Sequence, residues 1–110
     1  MKKDNLVYLR QINDYIKDIT GYIKDKSSQE FEKDRLLQDG VIRKLELIGE
    51  TARRLSDDFV ESHPEFPLSE AVATRNKLIH DYDEINLKIV WNTLTKDLPR
   101  LKRVVSGLLK

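Results

Sequence analysis

The chain has 110 residues, a formal net charge of +1 from 20 Lys and Arg against 19 Asp and Glu, and no cysteine, which excludes disulfides, thiolate metal sites and thiol nucleophiles. Charged residues make up 35% against a usual share of about 25%, and with only four Gly and three Pro that excess suits solvated helix faces better than a turn-rich β protein. The 39% hydrophobic residues recur at regular spacing, which argues against disorder, and the near-neutral balance argues against a protein that binds nucleic acid over its whole surface.

Asp4 is a plausible N-cap for a first helix. Leu9, Ile12, Ile16, Ile19 and Ile23 follow at three- and four-residue steps with Tyr8, Tyr15 and Tyr22 beside them, which predicts one wide apolar stripe. Lys2 and Lys3 precede this run, but Arg10, Asn13 and Asp14 interrupt what would be the apolar core of a signal sequence. No window reaches the roughly 18 apolar residues of a membrane span, so a cytoplasmic location is expected. Lys24–Gln29 reads as a loop.

A second helix is expected from about Gln29 or Glu30 to Leu55, with Leu37, Val41, Leu45, Ile48, Ala52 and Leu55 on one face. Its other face carries Arg43, Glu46, Glu50, Arg53 and Arg54, in which Glu50 and Arg54 make a favourable (i, i+4) pair. A polar stretch and the connection His63-Pro64-Glu65-Phe66-Pro67 follow, stiffened by two prolines. Ser69 can cap a third helix that holds Val72, Arg75, Leu78 and Ile79, and Asp83 and Glu84 then make a turn. The last helix places Leu87, Trp91, Leu94, Leu98, Leu101, Val105 and Leu108 at four–three alternation, with Pro99 inside the pattern, where it should kink or split the helix. The expectation is a single all-α domain over residues 1–110, an antiparallel four-helix bundle.

The stretch Arg75-Asn76-Lys77-Leu78-Ile79-His80-Asp81-Tyr82 has the form R-x4-H-x-Y. Residues five apart point about 140° away from each other on a helix, so Arg75 and His80 do not share a face, whereas Asn76 and His80 do. Asn76 could then hold the imidazole in one tautomer. Taken alone, His80 is as well explained by a helix C-terminus, where an imidazolium meets the negative end of the dipole, and Arg75 by an ion pair with Glu46 or Glu50. Tyr82 could stack on the end of the bundle. His63 reads as structural, and Trp91 as core or dimer interface. Lys96, Arg100, Lys102 and Arg103 read first as a solvated helix face, with an RNA-tracking patch as the second reading.

Together with Ile48-Gly49-Glu50 in the second helix, His63-Pro64, Ile89-Val90-Trp91 and Asp97-Leu98-Pro99, the R-x4-H-x-Y stretch resembles the HEPN toxins that pair with a minimal nucleotidyltransferase. The resemblance runs from Asp39 to Leu101; Leu68 departs from it, where many members have Trp. It implies a HEPN-like helical bundle and a homodimer with two copies of the motif lining one groove. The implied activity is that of an endoribonuclease toxin that needs no metal and no cofactor. Arg75 and His80 would be catalytic and Asn76 supporting; Glu46 and Glu50 read first as a solvated face or interhelical pairs, with support of Arg75 as the second reading. The cognate nucleotidyltransferase antitoxin would adenylylate Tyr82 and so block RNA from the groove. A non-catalytic helical partner of that nucleotidyltransferase is the competing reading. A DNA-binding regulator is disfavoured, because no recognition helix rich in Arg, Asn or Gln follows a tight turn.

Overall fold

The computed structural model describes residues 2–72 and 86–110. Every element among them is helical, in agreement with the all-α expectation. No helix among the described residues is long and apolar enough to cross a membrane.

Helix α1 (Lys3–Ile23) buries Leu9, Ile12, Ile16 and Ile19 to 1% exposure or less, the stripe read from the sequence. Its cap position falls on Lys2, so Asp4 is not the N-cap. Asp4 sits instead in the first turn, where a carboxylate still faces the positive end of the helix dipole.

The helix expected from Gln29 or Glu30 to Leu55 is two helices. Ser27 opens α2 (Ser28–Lys33) with a capping box: its hydroxyl accepts from the Glu30 amide at 3.1 Å, and the Glu30 carboxylate accepts from the Ser27 amide at 3.1 Å. Asp34 then adopts an extended backbone, ends α2, and caps α3 (Arg35–Ala52) by accepting from the Leu37 amide at 3.0 Å. The break turns Phe31 into the core, where it is fully buried, and Gln38 laces it by donating to the Phe31 and Glu32 carbonyls. The α3 stripe of Val41, Leu45, Ile48 and Ala52 is buried as read. A short helix that the periodicity did not reveal, α4 (Asp57–Ser62), is capped by the Ser56 hydroxyl, which accepts from the Phe59 amide at 3.2 Å.

Helix α5 begins at residue 68 and is described to residue 72. Ser69 lies inside it and is not its cap; Pro67 precedes it, and the Pro67 carbonyl accepts from the Ala71 amide. After residue 85, the Asn86 side chain caps α6 (Leu87–Asn92) by accepting from the Lys88 and Ile89 amides. A π-helical turn (Thr93–Asp97) joins α6 to α7 (Leu98–Leu108).

That wide turn is how the chain accommodates Pro99. Proline has no amide hydrogen, and its ring would clash with the carbonyl four residues back in a regular α-helix. Here the Leu98 amide reaches the Thr93 carbonyl, five residues back. The Thr93 and Thr95 hydroxyls each donate to carbonyls of the preceding turn at 3.0 Å. The expected split is therefore one expanded turn, and Leu94, Leu98, Leu101 and Val105 stay on the core side.

α1 and α3 run antiparallel. Asn5 meets Ser56 at one end, Asp18 meets Lys44 at 3.0 Å further along, and the Tyr22 ring lies against Gly40 at the other end. α7 runs in the same direction as α3: Trp91 packs on Phe31, with ring centroids 5.4 Å apart, and Leu98 and Leu101 share a crevice with Leu45 and Ile48. Each large apolar side chain fully buried in this core contributes about 1.5–3 kcal/mol.

Candidate functional site

The four residues expected to carry the chemistry, Arg75, Asn76, His80 and Tyr82, lie outside the described residues. What the structure gives is the frame on either side of them. Upstream, α5 leads toward the motif with Ala71 buried and the Glu70 carboxylate paired to the Arg100 guanidinium of α7. Downstream, the Asn86 cap restarts the chain as α6.

α5, α3 and the π-helical turn meet at a small, mostly apolar crevice of about 30 Å³, roughly the room of one water, lined by Leu45, Ile48, Ala71, Thr93, Asp97 and Leu98 among others. The wide turn that Pro99 imposes thus forms one wall beside α5, which precedes the motif in the chain. A π-helical turn inside an α-helix frequently accompanies a functional site.

Glu46 and Glu50 are both on α3. Glu46 pairs with Arg43, one turn away, at 3.5 Å, and its side chain keeps 30% exposure. Glu50 is engaged as well. Neither is an idle surface charge.

His63 has the structural role expected of it. Its ring stacks on Phe59 at 4.4 Å between centroids, and Nδ1 donates to the Phe59 carbonyl at 3.0 Å. Because a carbonyl only accepts, Nδ1 carries the proton. Phe59 in turn meets Phe66 edge-on at 5.8 Å. Trp91 takes the core reading through Phe31.

Sequence reasoning missed a buried polar clasp at this end of the molecule. Asn5, 4% exposed, donates from Nδ2 to the Ser56 hydroxyl at 3.0 Å and accepts from the Ser56 amide at 3.1 Å. A cap signal was present in Ser56-Asp57-Asp58, but nothing local marks its partner 51 residues away.

One lysine ammonium among the described residues is shifted. Lys44 is held above the ordinary lysine value, chiefly by its hydrogen bond to Asp18, against a smaller opposing effect of burial. Its Nζ also sits 5.4 Å from the centre of the Tyr15 ring.

The model of one protein family, described as ribonuclease HepT-like, matches residues 12–108. The chain belongs to the HepT-like ribonuclease family. The match runs from within α1 to the end of α7 and includes the positions of Arg75–Tyr82. A protein of Methanocaldococcus jannaschii named "Putative RNase" is 36% identical over 109 residues, covering 99% of this chain and 90% of its own length. A Thermococcus cleftensis protein named "Probable ribonuclease HepT" is 36% identical over 102 residues, 93% of each chain. A third, from Caldanaerobacter subterraneus and also named "Putative RNase", is 35% identical over 103 residues, 94% of this chain and 92% of its own length. No solved structure matches this chain significantly.

Proposed function

We propose that this HepT-family chain is an endoribonuclease that cuts RNA without a metal ion, as the toxin of a toxin–antitoxin pair. The observation that carries the reading is the family match, which runs through the stretch from Arg75 to Tyr82 in a chain whose described helices form the expected all-α frame.

The chemistry uses the RNA's own 2′-hydroxyl. It loses its proton to an imidazole and attacks the adjacent phosphorus, while the bond from phosphorus to the 5′-oxygen breaks and that oxygen takes up a proton. The products are a 2′,3′-cyclic phosphate and a 5′-hydroxyl. Histidine, with an ordinary pKa of about 6.5, can accept the first proton when neutral and supply the second when charged. A homodimer with two motif copies facing one groove offers one His80 for each task. Arg75 stabilises the extra charge on the phosphoryl oxygens, and its planar fork suits two of them at once. Asn76 holds the imidazole in register, and Glu46 and Glu50 support the arginine from α3.

In this reading the partner is a minimal nucleotidyltransferase that adenylylates Tyr82. The attached nucleotide adds a phosphodiester charge and bulk that repel the RNA backbone from the groove. The test is to induce the chain with and without its genomic neighbour while following growth and RNA integrity. The proposal expects growth arrest and RNA cleavage from the chain alone, rescue by the neighbour, and loss of toxicity in Arg75→Ala and His80→Ala. Harmless expression with intact RNA would favour a non-catalytic partner of the nucleotidyltransferase instead.

A further inference from the structure

The charge of this molecule is near zero only in sum. Residues 87–110 hold six Lys and Arg against one Asp, a local net charge of +5, and the other 86 residues hold 14 against 18, a net charge of −4. All six basic residues in the last segment are exposed. Lys96, Arg100 and Arg103 follow at four- and three-residue steps, so they line one outward stripe opposite the buried Leu94, Leu98, Leu101 and Val105, with Lys102 on its flank. A solvated helix that needs charge only for solubility mixes signs. This one does not.

The counter-charges do not come from the rest of the described fold. Lys96, Lys102 and Arg103 make no ion pair among the described residues. Arg100 alone is paired, and its partner is Glu70 on α5, five residues ahead of Arg75. The pair fastens the basic stripe to the helix that precedes the motif in the chain. One cationic row on an otherwise acidic body creates a directional field, which draws a polyanion to that face and turns it from the rest.

We infer that the exposed basic surface of the π-helical turn and α7, through Lys96, Lys102 and Arg103 beside the pinned Arg100, is the track that holds the phosphate backbone of the RNA. This rests on the ribonuclease reading and adds where the substrate lies. Its contacts are with phosphates, so the track fixes position and carries no base preference. It also explains how a chain of net charge +1 can hold a polyanion: the binding is local.

The test is the affinity of the chain for a short fluorescent single-stranded RNA carrying 2′-O-methyl groups, which cannot be cut by its own hydroxyl. The triple variant Lys96→Gln, Lys102→Gln, Arg103→Gln should bind about tenfold or more weakly at low salt. Its plot of log affinity against log salt should flatten by about 2, since each phosphate contact with a single strand contributes about 0.7 to that slope. The control triple Lys17→Gln, Lys24→Gln, Lys26→Gln changes the net charge equally at exposed sites elsewhere and should bind as the parent does. Exchanging Lys for Arg and Arg for Lys at the three stripe positions should also preserve binding. Unchanged affinity and slope in the stripe variant would overturn the proposal, as would an equal loss in the control. It would fall too if the stripe variant kept RNA but lost the nucleotidyltransferase, because the face would then serve the partner. Cleavage of unmodified RNA is read separately. A parent chain that binds through the stripe but cuts nothing sinks the nuclease reading alone, and a parent that cuts while the stripe variant binds normally sinks the track alone.

Discussion

α1 and the helical run from Leu87 to Leu108 do the same work inward and different work outward. Each lays a row of large apolar side chains into one core, Leu9, Ile12, Ile16 and Ile19 from the first and Val90, Leu94, Leu98, Leu101 and Val105 from the second. Outward, α1 balances Lys3, Arg10 and Lys17 against Asp4, Asp14 and Asp18, whereas the later run sets five cations against Asp97. α1 is regular throughout; the other helix carries a proline and a π-helical turn. Burial therefore builds the bundle from both, and the irregular, mostly cationic helix is the one proposed to bear on function.

The inward equivalence is tested by Ile12→Ala in α1 and Leu94→Ala in the π-helical turn, both residues being 2% exposed or less. Each should cost about 2–5 kcal/mol in urea unfolding, the range for truncating a well-packed Leu or Ile. A markedly smaller loss at Leu94 would mean that the expanded turn packs loosely and the two helices are not equal partners.

A smaller effect separates the ends of α1. Asn5→Ala removes the acceptor for the Ser56 amide and a donor to its hydroxyl, and should cost about 1–3 kcal/mol by leaving buried polar groups unpaired. Unfolding at the level of the parent chain would show that water replaces the clasp without loss.

The smallest effect sharpens the view of α1's outer face. Lys44→Gln should cost only about 0.2–1 kcal/mol, because Asp18 is 45% exposed and solvent screens the pair. The sign with pH is definite. The folded state raises the Lys44 value, so the pair's stabilisation is complete below the ordinary lysine value of 10.5 and fades as pH climbs through the higher folded value. The difference between parent and variant should therefore hold across neutral pH and shrink only in strong alkali.

The core was legible in the sequence because three- and four-residue spacing is a direct consequence of helix geometry, and the stripes of α1, α3 and α7 were read almost residue for residue. The breaks were not. Asp34 interrupts an otherwise helical pattern with one residue whose side chain prefers to cap, and Phe31 enters the core only because the chain bends there. Pro99 announced an irregularity, but its form depended on whether the turn before it could widen. Ser56 and Asn5 find each other only through the antiparallel meeting of α1 and α3. Arg75, His80 and Tyr82 obey no packing period, and only their likeness to a family singled them out from ordinary surface charge.

In the proposed mechanism a guanidinium and an imidazole break RNA unaided. That mechanism is tested most directly by incubating the purified chain with a defined RNA in excess EDTA and analysing the ends of the products. The expected products carry 2′,3′-cyclic phosphate and 5′-hydroxyl ends, with cleavage falling about 10²–10⁴-fold in folded His80→Ala. Cleavage that stops when the metal is removed, or that survives intact in His80→Ala, would contradict it.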